Sequence, residues 1–376
     1  MRKENTAIRN IINIVAIVIL MVITVGLSFQ SNDTIKLKVA PAIWQCCYLI
    51  IMAASLNLVL GYLGQLSLGH CGFMAVGAYA SALISLGLQR SGFFTEKSSI
   101  QFAITLIISI LASAIIAALI GVIVGIPALR LKGDYLAIIT LGFGMIIVNL
   151  INNIPFCGQQ GLSQGAASSA LYANGLGFTN DEKQKYMWVA VLVVVICMAV
   201  MIMFVNSKYG RVIRAIRDNE IATSATGNDI SYYKILTFVF SAFFAGIAGA
   251  LYSCANVSLA TTSFAFTNGS ILNSVFIVVT VVVGGMGSMT GSVIAAIGMF
   301  LLNYTIKNGN WVNSLPEFLK NVFTYPMLVY SIALVIVILF RPKGIMGDKE
   351  LSLYDIPKYP GRIAAYFKNK KVTKEV

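Results

Sequence analysis

The stretch Gln101-Phe-Ala-Ile-Thr-Leu-Ile-Ile-Ser-Ile-Leu-Ala-Ser-Ala-Ile-Ile-Ala-Ala-Leu-Ile-Gly-Val-Ile-Val-Gly-Ile126 decides the class of fold: 26 residues without one charged side chain. About 20 apolar residues in a helix cross the hydrocarbon core of a bilayer. Backbone groups in lipid find no water to bond, so such a run is helical. A membrane β-strand would alternate polar and apolar residues, and this stretch does not. Nine more segments read the same way: Ile11–Phe29, Pro41–Leu60, Leu66–Leu88, Tyr135–Asn153, Met187–Val205, Tyr232–Ala255, Ile271–Met286, Gly291–Ile306 and Phe323–Phe340. The pair Ile271–Met286 and Gly291–Ile306 is short and shares a glycine-rich joint. It reads either as two spans or as one bent element, so the count is ten to within one or two.

Composition agrees. The 376 residues are 58% hydrophobic and 11% charged, with a mean hydropathy of +0.83. Soluble domains carry about a quarter charged residues. An ordinary soluble enzyme, a disordered chain and a disulfide scaffold are excluded. The expected fold is all-α: a polytopic transmembrane helical bundle of about ten spans. Arg2, Lys3 and Arg9 precede the first segment, as in a signal peptide. Its apolar run is longer than the roughly 7–15 residues of such leaders and no Ala-x-Ala site follows, so it is expected to be a span.

With the N-terminus inside and strict alternation, the inner segments collect 19 of the 27 basic residues: Arg2, Lys3, Arg9, Arg130, Lys132, Lys208, Arg211, Arg214, Arg217, Lys234 and nine beyond Phe340. The outer segments hold eight. This bias predicts cytoplasmic termini at both ends. The expected organisation is a transmembrane domain over 1–340, carrying a cytoplasmic loop at 206–231, and a basic cytoplasmic tail over 341–376. The net charge of +13 therefore reads as membrane topology and speaks against a nucleic-acid partner. The tail reads as solvated, with contact to anionic lipid as the alternative.

All 14 acidic residues fall in loops or at segment ends, and His70 is the one ionisable residue within an apolar segment. Ion-driven transporters bury such groups as relays. A chain without them that moves cargo uphill must take its energy from a partner. Six cysteines are scattered without metal-ligand or Cys-x-x-Cys spacing, so no metal site is expected. No His/Cys/Asp cluster suggests an enzyme.

The loop at 206–231 is unusual. Arg211, Arg214 and Arg217 recur every three residues, close to one helical face, with Val212, Ile213 and Ile216 opposite. Asp218, Asn219 and Glu220 then offer an N-cap and a negative first turn for a short helix from Glu220 to Thr226. Gly227 is placed to stop it. A short helix projecting from the bilayer is a handle for a cytosolic protein; the alternative is a solvated loop.

The pattern Tyr209-Gly-Arg-x-x-Arg-Ala-Ile-Arg-Asp-Asn-Glu-Ile-Ala…Gly227 resembles the coupling loop of permease subunits of ABC importers, most of all the family of high-affinity branched-chain amino acid systems. Four other stretches resemble that family in the same order: Leu56–Tyr79, Leu131–Gly144, Val283–Gly291 and Phe340–Gly347. The Gly-Asp-Tyr element at 133–135 and the Arg-Pro-Lys-Gly tail resemble the longer of its two paralogous permeases. The chain departs from the family after Asn153, where Ile-Pro-Phe-Cys-Gly-Gln-Gln-Gly-Leu-Ser lacks the usual proline of a Thr-Gly-Gly-Pro-like stretch.

The resemblance implies a multi-pass protein of the bacterial plasma membrane, translocating leucine, isoleucine and valine by alternating access. It implies a paralogous permease, two cytosolic ATPases and an extracytoplasmic substrate-binding protein as partners. It also implies that Arg211, Arg214, Arg217, Asp218, Asn219, Glu220 and Gly227 meet the ATPases. Urea or nucleosides are alternative substrates within the family. A stand-alone ion-coupled secondary transporter is the alternative from another class.

Two heptads share one pattern: Gly61-Tyr-Leu-Gly64-Gln-Leu-Ser67 and Gly284-Gly285-Met-Gly287-Ser-Met-Thr290. Both follow apolar runs on the inner side, as hinges or close backbone approaches would. They have the form of an internal repeat, and packing alone accounts for them equally well. No lysine follows in P-loop spacing here or elsewhere, so no cofactor is expected on this chain and any ATP is hydrolysed by partner subunits. Gln65, Ser67, His70 and Tyr79 put polar atoms in the third span. They read as an interhelical hydrogen-bonding set, with a translocation path for the small-molecule substrate as the alternative. The four-residue spacings Ala117, Gly121, Gly125 and Ala242, Gly246, Ala250 predict close helix crossings. Trp44, Trp188 and Trp311 read as interfacial anchors.

Overall fold

The computed structural model describes residues 26, 35–90, 99–128, 135–154, 180–256, 259, 264, 274–308, 326–340 and 344–347. Among them there is no strand. The first expected span apart from Gly26, Asp134, Trp311, most of the outer stretch after Asn153 and the tail beyond Gly347 lie outside the described residues. In chain order the helices are α1 (Ala40–Asn57), α2 (His70–Arg90), α3 (Ser99–Ala128), α4 (Tyr135–Asn153), α5 (Asn180–Lys185), α6 (Met187–Asn206), α7 (Lys208–Asp218), α8 (Glu220–Ala225), α9 (Ile230–Ala255), α10 (Ser274–Gly284), α11 (Met289–Asn308) and α12 (Pro326–Phe340).

Seven of these are long and apolar enough to cross a membrane; α10 is a shorter apolar helix. The described part of α10, 11 residues, measures about 16 Å at 1.5 Å per residue. It and α11 are two helices folded back through the turn Gly285–Ser288, which resolves the joint in favour of two elements. The span expected to start at Leu66 starts its helix at His70, because Leu63 to Gly69 form an irregular turn. α1 runs on through a π-helical turn, Leu58–Tyr62.

α9 is the centre of the bundle. It packs against α3, α2 and α1; α11 and α10 lie on α1, α4 on α2, α6 on α1, and α12 on α10. The spans of α1 and its extension are 78% buried, against 28% for α4 and for α6. Buried all round means apolar all round, and α1 contributes Trp44, Ile51, Met52 and Leu56 at no exposure. The outward faces of α3 and α6 carry Ile107, Leu111, Ile115, Leu119 and Met203, as lipid-facing surfaces do.

Close crossings rest on small residues, as their four-residue spacing predicts. The two faces meet each other: a Cβ on Gly246 would lie 2.6 Å from Ala117 Cβ, and one on Gly121 2.7 Å from Ala242 Cβ. Gly77 of α2 closes on the other side of Gly246, with 2.4 Å from its notional Cβ to the Gly246 carbonyl oxygen. Trp44 departs from expectation. It is fully buried, and its Nε1 donates to the Lys183 carbonyl at 3.0 Å. Trp188, at the start of α6, keeps 37% exposure.

Candidate functional site

The loop between α6 and α9 folds as two consecutive helices. Gly210 lets α7 turn sharply off the end of α6, since a Cβ there would lie 2.0 Å from the Val205 carbonyl oxygen. α7 is amphipathic: Ile213 and Ile216 are buried while Arg211, Arg214 and Arg217 stay on the exposed side. Asn219 leaves the helix in extended conformation and accepts from Ala222 N at 3.0 Å, capping α8. Gly227 follows at φ +81°, where a side chain would be strained. Asp229 then caps α9 by accepting from Tyr232 N at 3.2 Å. Cap, stop and cap lie within eleven residues, so this local order is a property of the segment itself.

Three polar ties hold the two helices to the bundle. Arg214 Nη2 donates to the Val205 carbonyl at 2.9 Å, bringing positive charge to the C-terminus of α6; its guanidinium also lies 5.4 Å from the Tyr62 ring centre. Glu220 Oε1 accepts from Lys234 Nζ at 2.9 Å, and Lys234 is 6% exposed, one turn into α9. Arg217 Nη1 donates to the Gly61 carbonyl at 2.6 Å. The stem of Arg217 lies on Gly64, whose notional Cβ would be 2.7 Å from Arg217 Cγ. Asp218 is exposed, 3.7 Å from Arg217 Nε. At the tip, Ile221 is 82% exposed, with Ala222, Ser224 and Ala225 exposed around it.

The two glycine motifs, more than 200 residues apart in sequence, touch each other at this same end. A Cβ on Gly61 would be 2.4 Å from Gly287 N. Asn57, a lone amide at the end of α1 four residues before Gly61, holds the second motif: its Nδ2 donates to the Ser288 carbonyl at 2.9 Å, and its Oδ1 accepts from Gly287 N at 3.1 Å. Gly64, Gly285 and Gly287 have φ of 76°, 119° and 96°, accessible to glycine and strained for other residues. Ser288 caps α11, its Oγ accepting from Gly291 N at 3.0 Å. Residues Gly344 to Gly347, the end of the Arg-Pro-Lys-Gly-Ile-Met-Gly stretch, return here too. Ile345 N donates to the Val283 carbonyl at 2.9 Å, Met346 N to that of Gly284 at 3.2 Å, and Gly344 lies flat on Gly285.

The third-span polar residues have separate surroundings among the described residues. His70 is 2% exposed, and its Nε2 shares a 2.8 Å hydrogen bond with Ser55 Oγ of α1. Tyr79 OH donates to the Leu259 carbonyl at 3.2 Å. Gln65 Oε1 and Ser67 Oγ are buried without a protein partner. A gap between α1, α10 and α11, too narrow for a water molecule, is lined by Leu49, Ala53, Phe276, Ile277, Thr280 and Ala296, none of the four. No group of three or more His, Cys, Asp or Glu that could hold a metal occurs among the described residues.

Sequence patterns do not single out Asn57, Lys234, Tyr62 and Ser55. A lone Asn in an apolar run is the available signal for the first, and a Lys a few residues past a helix cap for the second.

Comparison with known proteins then places the chain. The family described as "Branched-chain amino acid transport system / permease component" matches residues 39–338. The chain belongs to this family. It is a multi-pass membrane transport permease. Among relatives, it is 31% identical over 353 residues to the high-affinity branched-chain amino acid transport system permease protein LivM of Escherichia coli (strain K12), covering 88% of this chain and 74% of the relative. The protein of the same name from Salmonella typhimurium is 30% identical, covering 87% and 73%. A probable branched-chain amino acid transport permease protein LivM of Methanocaldococcus jannaschii is 24% identical over 339 residues, covering 82% and 93%. No solved structure matches the chain.

Proposed function

We propose that this chain is a transmembrane permease subunit of an ABC importer that carries leucine, isoleucine and valine across a bacterial plasma membrane by ATP-driven alternating access. The observation that carries the mechanism is the α7–α8 loop: two consecutive helices beyond the end of α6, the second capped by Asn219, tied at three points to the bundle and exposing Ile221 at the tip. Such an element takes a push from a soluble protein and passes it to the spans. Membership of the branched-chain permease family supports the substrate class.

The working assembly adds a paralogous permease, two cytosolic ATPases that hydrolyse the ATP, and an extracytoplasmic binding protein that supplies affinity. In this reading the chain is not an enzyme and binds no cofactor. It has about ten spans, both termini in the cytoplasm and a basic tail from 341 onward. Arg211, Arg214, Arg217, Asp218, Asn219, Glu220 and Gly227 form the ATPase-coupling loop. Gly61, Gly64, Gly284, Gly285 and Gly287 are the hinges. Gln65, Ser67, His70 and Tyr79 line or buttress the path, Gln65 Oε1 and Ser67 Oγ being buried polar atoms without a protein partner.

The test is co-purification with the partners, then uptake of labelled leucine, urea and nucleosides by vesicles holding the complex. Leucine uptake that needs ATP and survives collapse of the ion gradient is expected. Uptake of urea or nucleosides alone would overturn the substrate, and uptake lost with the ion gradient would overturn the class. Replacing Arg214 and Glu220 together is expected to abolish uptake with membrane insertion intact; normal uptake would remove the loop from the mechanism.

A further inference from the structure

We infer that Arg217 is the positioning residue through which movement of the α7–α8 loop reaches the paired glycine turns at Gly61–Gly64 and Gly285–Gly287. The inference rests on the reading of the loop as the coupling element.

Of the three hydrogen-bonded ties that hold the loop, two go to helices that the loop itself connects: Arg214 to the end of α6, with its guanidinium also over the Tyr62 ring, and Glu220 to the start of α9. These set where the loop leaves and re-enters the membrane. The Arg217 tie runs instead to Gly61, 156 residues away in sequence. A charged donor on a carbonyl is about twice as strong as a neutral pair and directional. The apolar contacts of Ile213 and Ile216 can slide; this bond cannot without breaking.

What Arg217 grips is built to move as a unit. Gly61 and Gly287 approach so closely that no side chain fits between them. Asn57 bonds both the Gly287 N–H and the Ser288 carbonyl, so a displacement of the end of α1 carries the α10–α11 turn with it. Gly64, Gly285 and Gly287 already sit at positive φ, where glycine changes angle without steric penalty. Ile345 and Met346 bond the same turn. A rotation of α7 therefore has a continuous bonded route, from Arg217 through Gly61 and Asn57, to the joint between two spans. A contiguous route is a warrant for coupling only once coupling is measured.

The experiment uses the full complex with paralogous permease, ATPases and binding protein in liposomes, reading leucine transported per ATP hydrolysed by assembled complex. Arg217→Met keeps the stem on Gly64 and removes the donor. It is expected to lower that ratio about tenfold, the size of one charged hydrogen bond, while Arg217→Lys stays within about twofold of wild type. Asn57→Ala is expected to lower the ratio as well, and the double variant to fall no further than the worse single one.

An unchanged ratio in Arg217→Met, or single effects that multiply in the double variant, would overturn the relay. A merely structural role would lower the yield of complex and leave the ratio alone. Amide exchange of Gly287 in the isolated chain gives a readout without substrate, ATPase or the Asn57 variant. Faster exchange in Arg217→Met supports the relay and unchanged exchange overturns it, even where a wild-type complex that fails to transport leucine has overturned the substrate reading.

Discussion

Substituting Gly77 by Ala adds one methyl group at the tightest crossing of the bundle. The new Cβ would lie 2.4 Å from the Gly246 carbonyl oxygen, 2.6 Å from Gly246 Cα and 2.9 Å from its carbonyl carbon. All three are backbone atoms of α9, so no rotamer relieves them. Ordinary contact begins near 3.4 Å, so α2 and α9 must part by about 1 Å. A gap of that size forfeits a quarter to a half of the dispersion well for each facing pair, and α9 cannot follow because Gly246 is also pressed on Ala117 and Ser113 of α3. Overpacking costs about 1–3 kcal/mol, and a backbone clash at the centre of three helices belongs at the top of that range. Helical propensity returns about 0.5–1 kcal/mol, leaving a net loss of about 2 kcal/mol. Gly142→Ala is the control. It is also helical, and nothing lies within 4 Å of its notional Cβ, so it should gain up to about 1 kcal/mol. Thermal unfolding of the detergent-purified chain, followed by intrinsic fluorescence, should order the midpoints Gly142→Ala at or above wild type and Gly77→Ala clearly below. Equal midpoints for the two variants would refute the reasoning.

Two further outcomes follow from the polar ties. Glu220→Gln leaves Lys234 Nζ buried beside a neutral group; with Glu220 43% exposed, the cost is about 1 kcal/mol and below that of a fully buried pair. Adding Lys234→Met should restore the midpoint, and a double variant as unstable as Glu220→Gln would show that the pair is not what matters. His70→Leu removes one interhelical bond, yet Ser55 Oγ keeps the Met52 carbonyl at 3.0 Å. The loss should stay near 1 kcal/mol, measured by the same unfolding assay. A chain that fails to insert or fold would contradict this.

Part of the site is legible in the amino-acid sequence because it is local. The cap at Asn219, the stop at Gly227 and the cap at Asp229 each act within three residues of themselves, and the periodic arginines of α7 need no distant partner to be placed on one face. α4 begins and ends where its apolar run does, at Tyr135 and Asn153, since the run and the helix have the same cause. The apolar pattern starts α2 four residues early, because Leu66 and Leu68 read as span while the backbone from Leu63 to Gly69 forms an irregular turn. Trp44 has the position of an interfacial anchor and is buried instead, because the place of an aromatic ring along a span does not reveal which helices cover it.

The sequence by itself determined the solvent of the fold: unbroken apolar runs have one solution in lipid. It also determined the turn from α7 into α8 and on into α9, where Asn219 and Asp229 cap the helices that follow them. Tertiary structure decided which glycines press on which helices, that Asn57 ties the end of α1 to a turn more than 200 residues away, and that Arg217 closes on Gly61. Those choices depend on helix rotation and crossing, and a bundle whose helices are all apolar carries almost no periodic signal to set either.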